Sequence, residues 1–206
     1  MHSILPFEEI ERRFDKPVLL EQMGMDRLEE VAKRDPNGLL NAAFTVWQRY
    51  VRNHPETNSG AVRDYIRQHG GSFLDATQAI IAAPIIRDVS YSRCTVDDPD
   101  LDERLVAYLL VAHVYPNELH IADMNFVNPY RPISPQRRRF KFQRYKGLHL
   151  LSTVLARAER YAALHECDYL TLNAVTDDLV PLFGKFGFIV EDNLATSLAM
   201  EKKVAR

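Results

Sequence analysis

Long apolar runs are missing from this 206-residue sequence. The longest uninterrupted one, Leu105 to Ala112, falls well short of the roughly 18–20 residues a membrane-spanning helix needs, so no membrane partner is expected. Cysteine is scarce as well. Cys94 and Cys167 stand far apart with no CxxC relation, which leaves no disulfide framework and suits a reducing, cytoplasmic setting. No charge sign is in excess: 26 Lys and Arg against 28 Asp and Glu give −2, which excludes a globally basic nucleic-acid binder. With 46% hydrophobic residues, disorder is excluded too. The N-terminus turns acidic at Glu8, Glu9 and Glu11, without the basic leader and apolar stretch of a signal peptide, so a cytoplasmic location is expected. GxxxxGK[ST], GxGxxG, HExxH and GxSxG are all absent.

What is present divides near residue 84. Before it the texture is helical. Apolar residues at three- and four-residue spacings predict helices over Met25 to Lys33 and Leu39 to Arg52, the second through Leu40, Ala43, Phe44, Trp47, Tyr50 and Val51. Asp35-Pro36-Asn37-Gly38 separates the two and offers a cap. Further helices are expected at Ala61 to Gln68 and Leu74 to Ala82, and Trp47 reads as a core anchor. After Pro84, β-branched and aromatic runs at Ile85 to Arg93, Arg104 to Tyr115 and Leu119 to Val127 predict an antiparallel meander. The acidic stretch Asp97 to Glu103 lies in its first connection. Glu103 and Leu109 occupy the positions where a calcium loop needs Gly and Glu, so it is read as a solvated loop. A long irregular connection, Asn128 to Gln143, leads to a helix from Gly147. Its apolar stripe is Leu151, Val154, Leu155, Ala158, Tyr161 and Ala162. A strand at Asp168 to Ala174, a short helix at Asp177 to Phe186 and a strand at Ser197 to Lys202 complete an α/β (α+β) arrangement with a mixed sheet.

The chemistry-bearing segment is Arg144-Tyr145-Lys146-Gly147-Leu148-His149. A strand feeds through a loop into a helix whose first turn has unpaired N–H groups and the positive dipole end, and Gly147 admits an oxygen-rich ligand; such a place suits a pyrophosphate. The only dense basic patch coincides with it: Arg137, Arg138, Arg139, Lys141, Arg144 and Lys146, interleaved with Phe140, Phe142 and Tyr145. It could grip a nucleotide by charge and stacking, track a nucleic-acid backbone, or be a solvated basic loop.

These residues carry a resemblance. Arg144-x-x-Gly147-x-His149 resembles the [QR]-x-x-G-x-[GA] acyl-CoA signature of the GCN5-related N-acetyltransferases (GNAT). Leu182-Phe183-Gly184-Lys185-Phe186-Gly187-Phe188 is similar to their L-Y-x-K-x-G-F segment, and Leu198 to Lys203 to their last strand. The likeness covers residues 85–206, an expected acyl-CoA-binding core. Residues 1–84 are expected as a helix-rich N-terminal part holding the first strand at Pro17 to Leu20 and acceptor-side helices. The resemblance implies a GNAT-like, mostly antiparallel mixed sheet flanked by helices, with acetyl-CoA as co-substrate. It further implies that the strand before the signature splays from its neighbour. Asn125, Phe126 and Val127 would then pair with the pantetheine arm, opposite Asn173 and Ala174. The pyrophosphate would rest on the N–H groups of Lys146, Gly147, Leu148 and His149, flanked by Arg144 and Tyr145, and the adenosine 3′-phosphate would take an arginine such as Arg139.

Two departures matter. His149 is bulky where the signature has Gly or Ala. Phe183 stands at the cofactor's thioester end, where the family's Tyr protonates the departing thiolate. A positioned acid is worth about 10²–10⁴-fold, yet a thiol of pKa about 8.5 leaves tolerably without help, so the change slows the reaction more than it forbids it. Water, Tyr145 or Tyr130 could supply the proton. Attack by an ammonium also needs a base near the splayed strand, where Glu118, His120 and Asp123 lie; strict alternation separates Asp123 and Asn125 from Glu118 and His120 and favours Asp123 over His120. The expected function is transfer of acetyl from acetyl-CoA to a primary amine, the acceptor and the oligomeric state being unreadable. The alternative is a GNAT-like module that binds CoA, or nucleic acid through Arg137, Arg138 and Arg139, without turnover.

Overall fold

The computed structural model describes residues 1–191 and 198–205, so Ser197 of the expected last strand lies outside the described residues. A short 3-10 turn (His2–Ile4) is followed by α1 (Phe7–Glu11), β1 (Val18–Met23), α2 (Leu28–Arg34), α3 (Pro36–Asn53), α4 (Ala61–His69) and α5 (Phe73–Ile81). Then come β2 (Ile86–Val96), β3 (Leu105–Val114), β4 (Glu118–Pro132), β5 (Tyr145–Gly147), α6 (Leu151–Leu164), β6 (Tyr169–Ala174), α7 (Val180–Gly184), β7 (Ile189–Val190) and β8 (Leu198–Lys203). The sheet runs β1-β2-β3-β4-β6-β8-β7, with β5 added to β4. Among the described residues only β4 and β6 pair in parallel, and the crossover that a parallel pair needs is supplied by α6. The fold is mixed α+β with a largely antiparallel sheet between helices.

Both faces of the sheet are covered. On one, α6 lays Val154, Leu155, Ala158 and Ala162 over Leu109, Val111, Leu119 and Ile121, with Ile4, Leu5, Ile10 and Phe183 in the same cluster. On the other, α3 buries Leu39, Ala42, Ala43, Val46 and Trp47 against Tyr91, Leu110 and Ala112. This stripe is one residue out of phase with the expected one. Leu40 and Phe44 are 49% and 40% exposed, Phe44 packing sideways on Phe73 at 6.1 Å instead of entering the core. The start of α3 follows from local chemistry: Pro36 occupies the first turn, and the Asp35 carboxylate accepts the Gly38 N–H at 2.9 Å. Ser72 and Asp75 close a reciprocal cap on α5.

Two details of β4 set the geometry of the cleft beside it. Its register against β3 slips between Leu110↔Asp123 and Val111↔Ile121, so Ala122 is an extra residue. Its parallel pairing with β6 is described from Glu118↔Tyr169 to Ile121↔Leu172; beyond that, β6 continues against β8 while β4 turns to β5. No helix among the described residues is long and apolar enough to cross a membrane.

Candidate active site

Along β4 beyond its parallel pairing with β6 lies a cavity of about 520 Å³, which Asn173 and Ala174 of β6 do not line. Met124 to Val127 of β4 line one side, Val175 just past β6 the other, and Phe140, Phe142, Arg144 and Gly147 close the outer end. A second cavity of about 290 Å³ is lined by Arg34, Asp35, Tyr91 and Arg93. The two share Leu105, Tyr108 and Asp123, so Asp123 stands where they meet.

Asp123 reaches this junction because of the bulge. Strict alternation would turn it away from the α3 face; the extra Ala122 restores it to the side of Leu110 and Tyr108, where His120 also points. The expected separation of Asp123 from His120 therefore does not hold. What distinguishes the two is solvent. His120 is 1% exposed, its Nδ1 lies 3.0 Å from Thr171 Oγ1, and burial followed by the Arg49 charge depresses its pKa to about 3. It is neutral and walled off, which removes it as a candidate base. Asp123 accepts from the Tyr108 hydroxyl at 3.1 Å and from its neighbour's amide, Met124 N–H, at 2.7 Å. Burial first, then the Asp35 charge, raise its pKa above the usual carboxylate value, and Tyr108 is held protonated by burial and by Asp123. Glu118 points to the same α3 side as His120, but at the start of β4 it is buried on Arg49 of α3, away from the cavity. Sequence reasoning missed Tyr108 and Asp35 as site residues, since only the β2–β3–β4 register and the docking of α3 bring them to Asp123.

The signature segment differs from expectation. Residues 145–147 form strand β5, with Gly147 opposite Val127 and Lys146 opposite Asn128, and Leu148 N–H donates to Phe126 O at 3.1 Å. The helix begins four residues later than Gly147, at Leu151, because strand pairing already claims these residues. The expected cofactor contacts are corrected in two places. The backbone of Phe126 and Val127 is engaged by β5, so a pantetheine arm has the stretch from Ala122 to Asn125 left to pair with. The free first-turn amides are those of Leu151, Ser152 and Thr153 rather than those of Lys146 to His149. Leu150 supplies no side-chain cap to them. His149 takes a left-handed backbone (φ 54°), the conformation for which the signature's Gly is suited. Arg13 donates to Leu148 O at 2.6 Å and ties this turn to the N-terminal segment.

Around the outer end, Arg139 lies over the Phe140 ring at 5.2 Å and Phe140 stacks on Phe142 at 5.3 Å, so part of the aromatic surface is already covered from within. Arg137, Arg138, Arg139, Lys141 and Arg144 fall in the segment leading into β5, and Lys146 lies in β5 itself. Tyr145 is half-buried and opposes Pro132 in the pairing of β5 with β4. Tyr130 donates to Asp98 at 2.8 Å and is pushed up to about 12 by burial and that bond. The acidic connection is thus pinned to β4 through a buried Asp98 rather than wholly solvated. Asn173 on β6 donates to Thr45 of α3 at 3.0 Å, while its Oδ1 is buried with no partner. Phe183 is 5% exposed, edge-on to Phe188 in the α6-side core.

Neither a protein-family model nor a curated protein matches the sequence. Solved structures similar to the chain include N-acetyltransferases. PaiA N-acetyltransferase of Thermoplasma acidophilum, solved in complex with coenzyme A, is 14% identical at a TM-score of 0.36, covering 90% of this chain and 98% of that one. A Desulfovibrio desulfuricans chain described as an acetyltransferase of the GNAT family is 13% identical at 0.35, covering 91% and 99%. Nourseothricin acetyltransferase is 15% identical at 0.35, covering 57% of this chain and 66% of its own length.

Proposed function

We propose that the chain is an N-acyltransferase that moves the acetyl group of acetyl-CoA to a primary amine by direct attack. The observation that supports this reading is the meeting of two cavities at Asp123: one of about 520 Å³ along Met124 to Val127 of β4, and one of about 290 Å³ beneath the start of α3. In this reading the backbone up to Asn125 meets the pantetheine. The first-turn amides of α6 receive the diphosphate, as helix N-termini do for anions, and Lys146, Arg144 and Arg139 offer charge to the phosphates. The acceptor ammonium loses one proton to Asp123. Its nitrogen then attacks the thioester carbonyl, the C–N bond forms and the C–S bond breaks. The second nitrogen proton ends on the CoA sulfur, through the Tyr108 hydroxyl or water, and Asp123 returns its proton to solvent. Phe183 takes no part in proton transfer.

A second reading, CoA binding without turnover, is favoured by one observation: β5 occupies the β4 edge at Val127 and Asn128. Calorimetric titration with acetyl-CoA and CoA, followed by thiol release over an amine panel, separates the two. Acetyl-CoA binding with no thiol release from any amine selects the second. Gly147→Glu tests the cofactor site itself. A Cβ at Gly147 comes no closer than 3.6 Å to Phe126 O, so the fold accommodates it, while the carboxylate repels a diphosphate. Loss of acetyl-CoA affinity with an unchanged melting temperature is expected; undiminished affinity would place the cofactor elsewhere.

A further inference from the structure

The smaller cavity has an internal division of charge that the acyl-transfer reading does not use. At its base stand Asp35 and Asp123, and among the described residues neither has an ion-pair partner. Asp123 is held by a phenol and an amide and Asp35 by the Gly38 N–H alone; Oδ2 of Asp35 is turned in against Gly38, out of reach of solvent, so Asp35 acts on the cavity through its uncompensated charge. At its rim stand Arg34 and Arg93. Both lean on one carboxylate, Glu21 of β1, at 3.4 Å and 3.9 Å, so two guanidinium charges share a single, loosely held counter-charge. The base therefore lacks a cation, and the rim carries two cations against one anion.

We infer that this cavity binds a small zwitterion, its ammonium at Asp35 and Asp123 and its carboxylate at Arg34 and Arg93. The acceptor class is thus an amino acid rather than a plain amine. Calling it the acceptor rests on the acyltransferase reading, whereas the binding itself rests on the charge layout alone. A simple amine would satisfy the base and leave the rim with its excess of positive charge; a carboxylate group meets the rim with charge-assisted, fork-shaped hydrogen bonds. Tyr91 and Tyr108 complete the walls with ring surface and hydroxyls, and the volume of about 290 Å³ suits a molecule of a few heavy atoms beyond its two charged ends. Asp35 is a positioning residue here: it holds the ammonium beside Asp123 and sets the environment in which Asp123 takes the proton.

The test is direct binding, which does not require turnover. The whole chain is titrated calorimetrically with L-serine, β-alanine and 4-aminobutyrate, each against the amine that lacks only its carboxylate: ethanolamine, ethylamine and propylamine. At least one zwitterion is expected to bind about tenfold or more tightly than its amine, the order of one charge-assisted contact. Replacing both rim residues, Arg34→Met with Arg93→Met, should erase that preference. Asp35→Asn, which keeps a helix-capping oxygen and so the fold, should weaken zwitterion and amine alike. Equal affinities within every pair, no binding of any of the six, or a preference that survives the double rim variant would each overturn the inference. If a zwitterion binds while acetyl-CoA does not, the pocket stands and the acyltransferase reading falls. If acetyl-CoA binds and plain amines release thiol as fast as their zwitterions, that reading stands and this one falls.

Discussion

In the acyltransferase reading proposed above Asp123 is the base, and its environment sets how it should behave. Burial and the Asp35 charge raise its pKa, whereas the bonds from Met124 N–H and the Tyr108 hydroxyl pull it down. A base acts when deprotonated, so the rate should climb as pH rises through a value above the ordinary aspartate range. Asp35→Asn removes a neighbouring negative charge and should move that limb to lower pH. Tyr108→Phe removes a bond to the carboxylate and should move it to higher pH. The opposite displacements, read from kcat/KM against pH, separate an electrostatic role from a merely structural one. Asp123→Asn should lower turnover by about 10²–10⁴-fold while calorimetry shows acetyl-CoA binding retained. A variant that keeps full rate would hand the base role to another group.

At the scale of elements, the readable parts were those fixed by neighbours in sequence. The cap at Asp35, the helical character of α3 to α6, though not which face of α3 is buried, and the meander of β2, β3 and β4 were legible because each is written in a local pattern. Three features were not. The bulge at Ala122 is a register between strands, and without it the faces of Asp123 and His120 are misassigned. β5 has three residues, and pairing with β4, which lies well upstream of it, is what makes it a strand and delays α6 to Leu151. The meeting of Asp35 and Tyr108 with Asp123 needs α3 laid across the sheet. The turn before α6 offers its own test. His149 sits at φ 54°, where a side chain costs about 1–2 kcal/mol that glycine avoids, partly offset by the greater freedom glycine brings to the unfolded chain. His149→Gly should therefore leave stability unchanged or raise it by up to about 1 kcal/mol, measured by urea unfolding. A fall in acetyl-CoA affinity in the same variant would reveal that the imidazole itself touches the cofactor.

Over the whole molecule, the α3 layer and the far half of the sheet are joined through Arg49. Its guanidinium pairs with Glu118 at the start of β4 and Glu191 after β7, and its Nε donates to Glu191 at 2.8 Å, all three side chains being buried. Truncating this buried cation strands Glu118 and leaves Glu191 only the half-exposed Arg52 at 3.7 Å, so Arg49→Met should cost roughly 3–5 kcal/mol, visible as a lower urea midpoint. One cation shared by two acids also shapes the pH response. Burial, with Glu191 and Glu201 nearby, raises Glu118 from 4.5 to about 7 despite Arg49, so between these values the folded chain holds a proton the unfolded one has lost, and stability falls as pH rises. His120, depressed from 6.5 to about 3, acts in the other direction: the unfolded chain binds the extra proton, and stability rises with pH over that interval. Across about pH 4.5 to 6.5 the two slopes oppose each other, each up to about 1.4 kcal/mol per pH unit. The contributions of these two groups nearly cancel there. Glu118→Gln removes the falling slope and leaves the rising one, so from about pH 4.5 to 6.5 this variant's stability should climb relative to its parent's. Urea unfolding at three pH values in that interval decides it, and parallel curves for the two proteins would mean that Glu118 is ionised in the folded state throughout.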